Sequence, residues 1–262
     1  MQQLRYTLRV DLRRSILSPC FLLAIVLTLL WLFLNIAEYM VKPSTPDIFY
    51  PAELVNAATV YETRSFANLI MVIAATSYSW SYCQDVNSGF LEQIKSRTGI
   101  ESYAVSRVVT VAGSAFLSTV AALGIFTVFL FMWLHPEENN IITVGLSYMT
   151  VAKENPALYF VIRYLITGLT ASLSAVFGLM VTGYITNAYM TFMLPLMTYY
   201  FLRLVDRFLR FMPRWFNIFH MMFGEPVDED IPAFFIAATE LLLLTALCGW
   251  VFCRKLRKEQ SA

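Results

Sequence analysis

The stretch SYCQDVNSGFLEQIKSRTGIESYAVSRVV, from Ser81 to Val109, is a polar, charged interruption between two hydrophobic runs that could each cross a bilayer. Within it Phe90, Leu91 and Ile94 recur at i, i+1 and i+4, so they share one side of a short helix while Glu92, Lys95 and Ser96 turn elsewhere. Asn87, Ser88 and Gly89 supply start chemistry before that helix, and Thr98 with Gly99 supplies stop chemistry after it. About two turns are therefore delimited on both sides, and a second helix begins near Glu101 and enters the membrane. A plain solvated loop between two spans would have no reason to carry an apolar helical face.

The composition places this interruption in an integral membrane protein. Hydrophobic residues make up 58% of the chain and charged residues 14%, with a mean hydropathy of +0.61, against soluble averages of about 45 to 50% and about 25%. In 262 residues, six all-α spans of about 20 residues each and their loops use up the chain, leaving one transmembrane domain over 1–262 and no soluble catalytic domain. The net charge of +1, with basic residues at membrane edges, excludes a nucleic-acid partner. Cys20, Cys83, Cys248 and Cys253 form no C-x-x-C pair and fall in or at the ends of predicted spans, so neither a disulfide framework nor a metal site is expected. The apolar run after Arg5, Arg9, Arg13 and Arg14 is long and lacks a small-residue cleavage site, which predicts a retained first span.

Residues 2 to 14 set Leu4, Leu8 and Leu12 at i+4 spacing beside Arg5, Arg9 and Arg13. They read either as an N-terminal amphipathic helix along an anionic cytoplasmic leaflet or as a plain positive-inside flank. Span one is predicted over about Ile16 to Ala37, span two Phe66 to Tyr82, span three Tyr103 to Leu134, span four Leu158 to Tyr184, span five Ala188 to Leu202 and span six Pro232 to Cys253. Residues 38 to 65, with Pro43, Pro46 and Pro51, read as an external loop. Tyr199 to Met222 interleaves aromatics with Arg203, Asp206, Arg207, Arg210 and Arg214, which fits external helices dipping into the interface between spans five and six. Ser114, Ser118 and Ala122 in span three, and Ser174, Gly178 and Thr182 in span four, form small-residue faces for static packing or for an interface that shifts.

Of the 19 Lys and Arg, eleven fall on the predicted cytoplasmic side: four N-terminal, three in the loop and four in the tail Arg254, Lys255, Arg257 and Lys258. That asymmetry puts both termini in the cytoplasm of a multi-pass plasma-membrane protein, with Arg203, Arg207, Arg210 and Arg214 as the contrary run outside. Glu240 alone among the acids lies inside a span, where a carboxylate costs about 2.5 to 3.5 kcal/mol unless paired or protonated. Arg163 and Arg203 lie at similar depth and are its expected partners, as a structural lock or as a gate.

No G-x-x-x-x-G-K-[ST] exists, so the chain binds no nucleotide through a P-loop of its own. There is no H-E-x-x-H or G-x-S-x-G to support an intramembrane protease, and His135 and His220 both fall in predicted external segments. The chain is not expected to be an enzyme.

Asp85, Asn87, Gly89, Phe90, Leu91, Ile94, Ser96, Arg97, Tyr103, Ser106 and Arg107 together resemble the loop between the second and third spans of type-2 ATP-binding cassette (ABC) exporter permeases. That family's motif usually runs Asn-Gly-Thr with Pro after Ser-Arg, whereas here Ser88 precedes Gly89 and Thr98 takes the place of Pro. The resemblance implies that the short helix is a coupling helix, with Gly89, Phe90, Leu91, Ile94 and Arg97 docking in a separately encoded cytoplasmic ABC ATPase that holds ATP and Mg. It also implies a second copy or a sister permease as partner, membrane lipid around both, and export of a peptide, lipid, glycan or drug. A secondary transporter, or a structural membrane protein without an ATPase, is the rival reading; the former would show midplane charges and broken helices.

Overall fold

The computed structural model describes residues 2–41, 51–59, 69–91, 93, 99–133, 151, 154–208 and 231–261. The helices in order are α1 (Gln2–Ile16), α2 (Pro19–Val41), α3 (Pro51–Thr59), α4 (Leu69–Thr76), α5 (Ser81–Asn87), α6 (Ile100–Trp133), α7 (Pro156–Thr182), α8 (Ala188–Phe208) and α9 (Ile231–Ser261). The described residues contain no strand. Within α2, α6, α7 and α9 lie runs long and apolar enough to cross a membrane, and they make this a membrane-embedded, all-helical protein.

The described residues give four such helices where the sequence predicts six spans. Span two is not one continuous helix: α4 ends at Thr76, and the chain turns through residues 77–80 before α5 begins. A run of hydroxyl residues accompanies the turn, and two of them bond backward. Thr76 Oγ1 donates to the Ile73 carbonyl at 2.7 Å and Ser77 Oγ to that of Ala74 at 2.9 Å, competing with the helical ladder. Ser79 instead donates sideways to the Ala175 carbonyl of α7 at 2.9 Å, which fixes the break against the bundle. Span five corresponds to α8, which carries Pro195 inside it and is not among the four. The loop predicted over 38 to 65 contains α3, opened by Pro51 in its first turn, with Leu54, Val55 and Ala58 buried. The segment Tyr199 to Met222, predicted as external helices between spans five and six, begins inside α8, which runs on to Phe208, and its remainder lies outside the described residues.

The position of α7 at the centre follows from its side chains. Of its apolar window 78% is buried, against 22% for α9. It packs on α3, α4, α5, α6, α8 and α9. Lipid tails are as apolar as leucine, so helices pack in a bilayer through close van der Waals fit, which small residues permit. Gly168, Ala171, Ser172, Ser174, Ala175 and Gly178 supply that fit on several sides of α7. Both predicted small-residue faces are buried, and they meet different neighbours: Ser114 Oγ lies 3.4 Å from Ser77 Oγ, while Gly178 abuts Thr191 of α8. By contrast α2 and α9 turn Leu22, Val26, Leu30, Leu243, Leu247 and Trp250 outward, as lipid-facing helices do.

The N-terminal segment forms a helix whose periodicity splits it into two sides. Leu4, Leu8 and Leu12 are half-buried and Ser15 fully buried on the side packed against α6. Arg5, Arg9 and Arg13 lie on the other side with the exposed Tyr6 and Val10. The leucine side is therefore taken up by contact with α6.

Candidate functional site

The polar stretch folds into a buried ionic network at the start of α6. Tyr103, Ser106 and Arg107 stand at i, i+3 and i+4 on α6, and therefore share one face. Ser81 and Asp85 do the same on α5 and meet them. Arg107 has no exposed surface. Its Nη2 pairs with Asp85 Oδ2, its Nε donates to the Tyr103 hydroxyl at 3.1 Å, and its Nη1 donates to the Tyr78 hydroxyl at 2.6 Å and to Ser81 Oγ at 3.2 Å. The rings of Tyr78 and Tyr103 lie 5.0 and 5.1 Å from the guanidinium carbon, adding cation–π attraction.

Two residues of α1 complete the arrangement. Asp11 accepts from Ser106 Oγ at 2.7 Å and lies 3.9 Å from Arg107 Nη1, and Arg14 donates to Asp85 Oδ1 at 3.4 Å. Asp85 thus accepts from Arg107, Arg14 and, at 2.8 Å, the Tyr103 hydroxyl. One carboxylate ties together α1, α5 and α6. A guanidinium is suited to this because its planar fork offers five donors and keeps its charge at any physiological pH. Nearby, Arg257 and Glu101 pair at 2.8 Å, but both are exposed and the pair adds little.

The predicted docking residues divide. Phe90 is 42% exposed, with the Arg14 guanidinium 5.8 Å over its ring. Leu91 faces the other way, buried among Tyr78, Tyr82, Ile100 and Tyr103 of its own chain. Ile94 and Arg97 lie outside the described residues. Gly89 is at φ +70°, and the preceding turn closes through Ser88 N–H to the Gln84 carbonyl and Gly89 N–H to that of Val86. Asn87, Ser88 and Gly89 therefore finish α5, a helix the sequence reading did not foresee, before the chain turns helical again at Phe90. A Cβ at Gly89 would meet nothing within 4 Å, so Gly89→Ala carries only the left-handed backbone penalty. It should destabilise the protein by about 1 to 2 kcal/mol, read as a lower melting temperature in detergent.

No protein-family model matches this chain, and no curated protein matches it.

The expected pair of Glu240 with Arg163 is not formed. Arg163 Nη2 donates to Thr59 Oγ1 of α3 at 2.8 Å, because α3 packs beside that part of α7. Glu240 Oε2 is buried without a hydrogen-bond partner. The side chain of Arg203 lies outside the described residues. Among the described residues no group of His, Cys, Asp and Glu gathers as a metal site, and all four cysteines are free thiols.

Sequence reasoning singled out Asp85, Tyr103, Ser106 and Arg107 without foreseeing that they touch. The signal was present in the Tyr-x-x-Ser-Arg spacing and in Asp11, an isolated acid among the arginines of α1.

Proposed function

We propose that this chain is the permease subunit of an ABC exporter, coupling ATP hydrolysis by a separate cytoplasmic ATPase to export of a peptide, lipid, glycan or drug. The observation that carries this reading is the convergence of Asp85, Tyr103, Ser106 and Arg107 on one buried network, with Phe90 exposed at its edge. A force applied at Phe90 would reach α1, α5 and α6 together, because the network leaves none of the three free to move alone. In this reading Gly89 shapes the loop, Phe90 inserts in the ATPase, Leu91 anchors the loop to the bundle, and Ile94 and Arg97 extend the docking surface. ATP and Mg belong to the partner, and a second copy or a sister permease completes the pathway. The segment α4–α5 and the helix α8 would supply the two further spans of a six-span layout. The cytoplasmic side would then hold both termini and the loop, in the plasma membrane.

The test is Phe90→Asp in the tagged full chain, purified from its native membrane and reconstituted. The wild type should co-elute with a P-loop ATPase subunit and show vanadate-sensitive hydrolysis. The variant should fold, since its carboxylate lies beside Arg14, and lose about tenfold or more of the hydrolysis, as a central aromatic anchor worth roughly 2 kcal/mol or more would. A wild-type protein with no associated ATPase overturns the reading. The break at residues 77–80 favours a second reading as a secondary transporter, since such proteins use discontinuous helices. Transport that survives vanadate and stops when an ionophore collapses the ion gradients would select it.

A further inference from the structure

Among the described residues, Arg163 is a buried cation without a counter-charge. The residue is 3% exposed, its Nη2 donates to Thr59 Oγ1, and its Nε, also buried, donates to nothing. Among the described residues it takes part in no ion pair. One helical turn earlier, on the same face of α7, Tyr159 is fully buried and its hydroxyl is without a partner too. From α2, Asn35 donates to the Ala58 carbonyl at 2.9 Å and leaves its Oδ1 unpartnered. Two helices, α2 and α7, therefore bring polar groups to the end of α3 at Ala58 and Thr59, and with Tyr159 three of their atoms are left unserved. The Thr59 hydroxyl serves one donor of Arg163, at Nη2. It leaves the Arg163 Nε–H pointing at no acceptor, at a cost that native structures rarely sustain without a ligand or a bound ion.

The location agrees with a ligand site. Tyr164 bonds Thr127 and Phe160 packs on Phe131, while Ser172 bonds the Ala112 carbonyl, so α6 and α7 run antiparallel. From Arg107 to Thr127 the helical rise comes to about 30 Å, placing Arg163 a bilayer's thickness from the Asp85–Arg107 network. Its surroundings are apolar and aromatic: Ala52, Val151, Ile162 and Ile166 are buried with Tyr159, and Phe234 packs against them. A few convergent polar groups in such a lining are the usual make-up of a small-molecule site.

We propose that Arg163 and Tyr159 bind the carboxylate or phosphate of an amphiphilic ligand. The Arg163 Nε–H and the Tyr159 O–H would donate to the anion, Asn35 Oδ1 would accept from a proton-bearing neighbour of it, and the apolar lining would take the hydrocarbon. The site does not depend on how transport is powered, so binding is read on the full chain without nucleotide, and a failure there leaves the ATPase reading untouched.

The experiment places the full chain in phosphatidylcholine nanodiscs and titrates dodecanoate, dodecyl phosphate and dodecyltrimethylammonium by calorimetry. The two anions should bind saturably and the cation should not. Arg163→Gln should weaken the anions by about 10- to 100-fold, the loss expected for a hydrogen bond to a charged group. If Arg163→Gln does not fold, Tyr159→Phe carries the test, with about a 2- to 10-fold loss. Equal anion affinity in the wild type and the folded variant, or no anion binding at all, overturns the proposal. With the Arg163 dependence in hand, competition by added phosphatidylglycerol assigns the occupant to a lipid headgroup, and its absence assigns it to a soluble amphiphile.

Discussion

Arg107→Ala should cost about 3 to 5 kcal/mol and sharply lower the yield of folded protein, because it leaves Asp85 as a buried charge facing a void. Asp85 is 1% exposed, and its remaining partners are the Tyr103 hydroxyl and the half-exposed Arg14. Asp85→Ala should cost a similar amount, since Asp11 stands 3.9 Å from Arg107 and cannot replace the direct pair. The double variant Arg107→Met with Asp85→Leu is the informative one. Replacing both charges with apolar groups of similar volume removes the desolvation penalty along with the attraction, so much of the lost stability should return. Melting temperatures in detergent give the cycle directly, with the coupling energy as the difference between the double variant and the sum of the singles. Single variants that melt with the wild type would mean that the pair contributes nothing to the fold. Under the proposed exporter reading, the double variant also separates stability from function: if it folds but loses the vanadate-sensitive hydrolysis expected of the complex, the charges serve the transmission of motion rather than assembly.

The four longest apolar helices were legible in the sequence because a stretch of eighteen or more predominantly apolar residues has few alternatives to crossing a membrane. Their observed bounds fall within a few residues of the expected ones for α2, α6 and α7, while α9 runs on through the basic tail to Ser261. The break in span two was not legible, because Thr76, Ser77 and Ser79 are neutral in hydropathy and the Ser79 bond that holds the turn reaches Ala175, 96 positions away. The helix α3 was hidden for a related reason. Nine residues preceded by Pro43 and Pro46 resemble a loop until the buried Leu54, Val55 and Ala58 are seen to share one side. For the site, the residue types were readable and the contacts were not. Asp11 and Arg107 are 96 positions apart, and nothing local in the sequence says that the amphipathic helix lies across the start of α6. The same limit explains Arg163: depth along α7 could be counted, but its bond to Thr59 depends on where α3 folds back.

Gly178→Ala should destabilise the protein by about 1 to 3 kcal/mol, against the usual gain of up to about 1 kcal/mol for replacing glycine inside a helix. A Cβ there would lie 2.7 Å from the Thr191 carbonyl oxygen, a contact that real Cβ atoms essentially never make. Thr191 is the residue four before Pro195, and proline has no N–H to give that carbonyl. The freed oxygen lies directly against Gly178, which suits a close backbone approach between α7 and α8 and a weak Cα–H···O contact. Because the obstacle is backbone, α8 as a whole must shift to admit a methyl group. Two other close glycines give the comparison. A Cβ at Gly168 would meet the Phe116 ring at 2.8 Å, and a ring can turn aside; at Gly249 it would meet Val108 Cγ1 at 2.6 Å, a β-branched side chain with less freedom. Melting temperatures should therefore fall in the order Gly168→Ala, Gly249→Ala, Gly178→Ala, with the last the most affected. Pro195→Ala restores an N–H to the Thr191 carbonyl and should draw it back into α8, so Gly178→Ala should cost less in that background than alone. Equal cost in both backgrounds would show that the proline-freed carbonyl does not set the distance between α7 and α8.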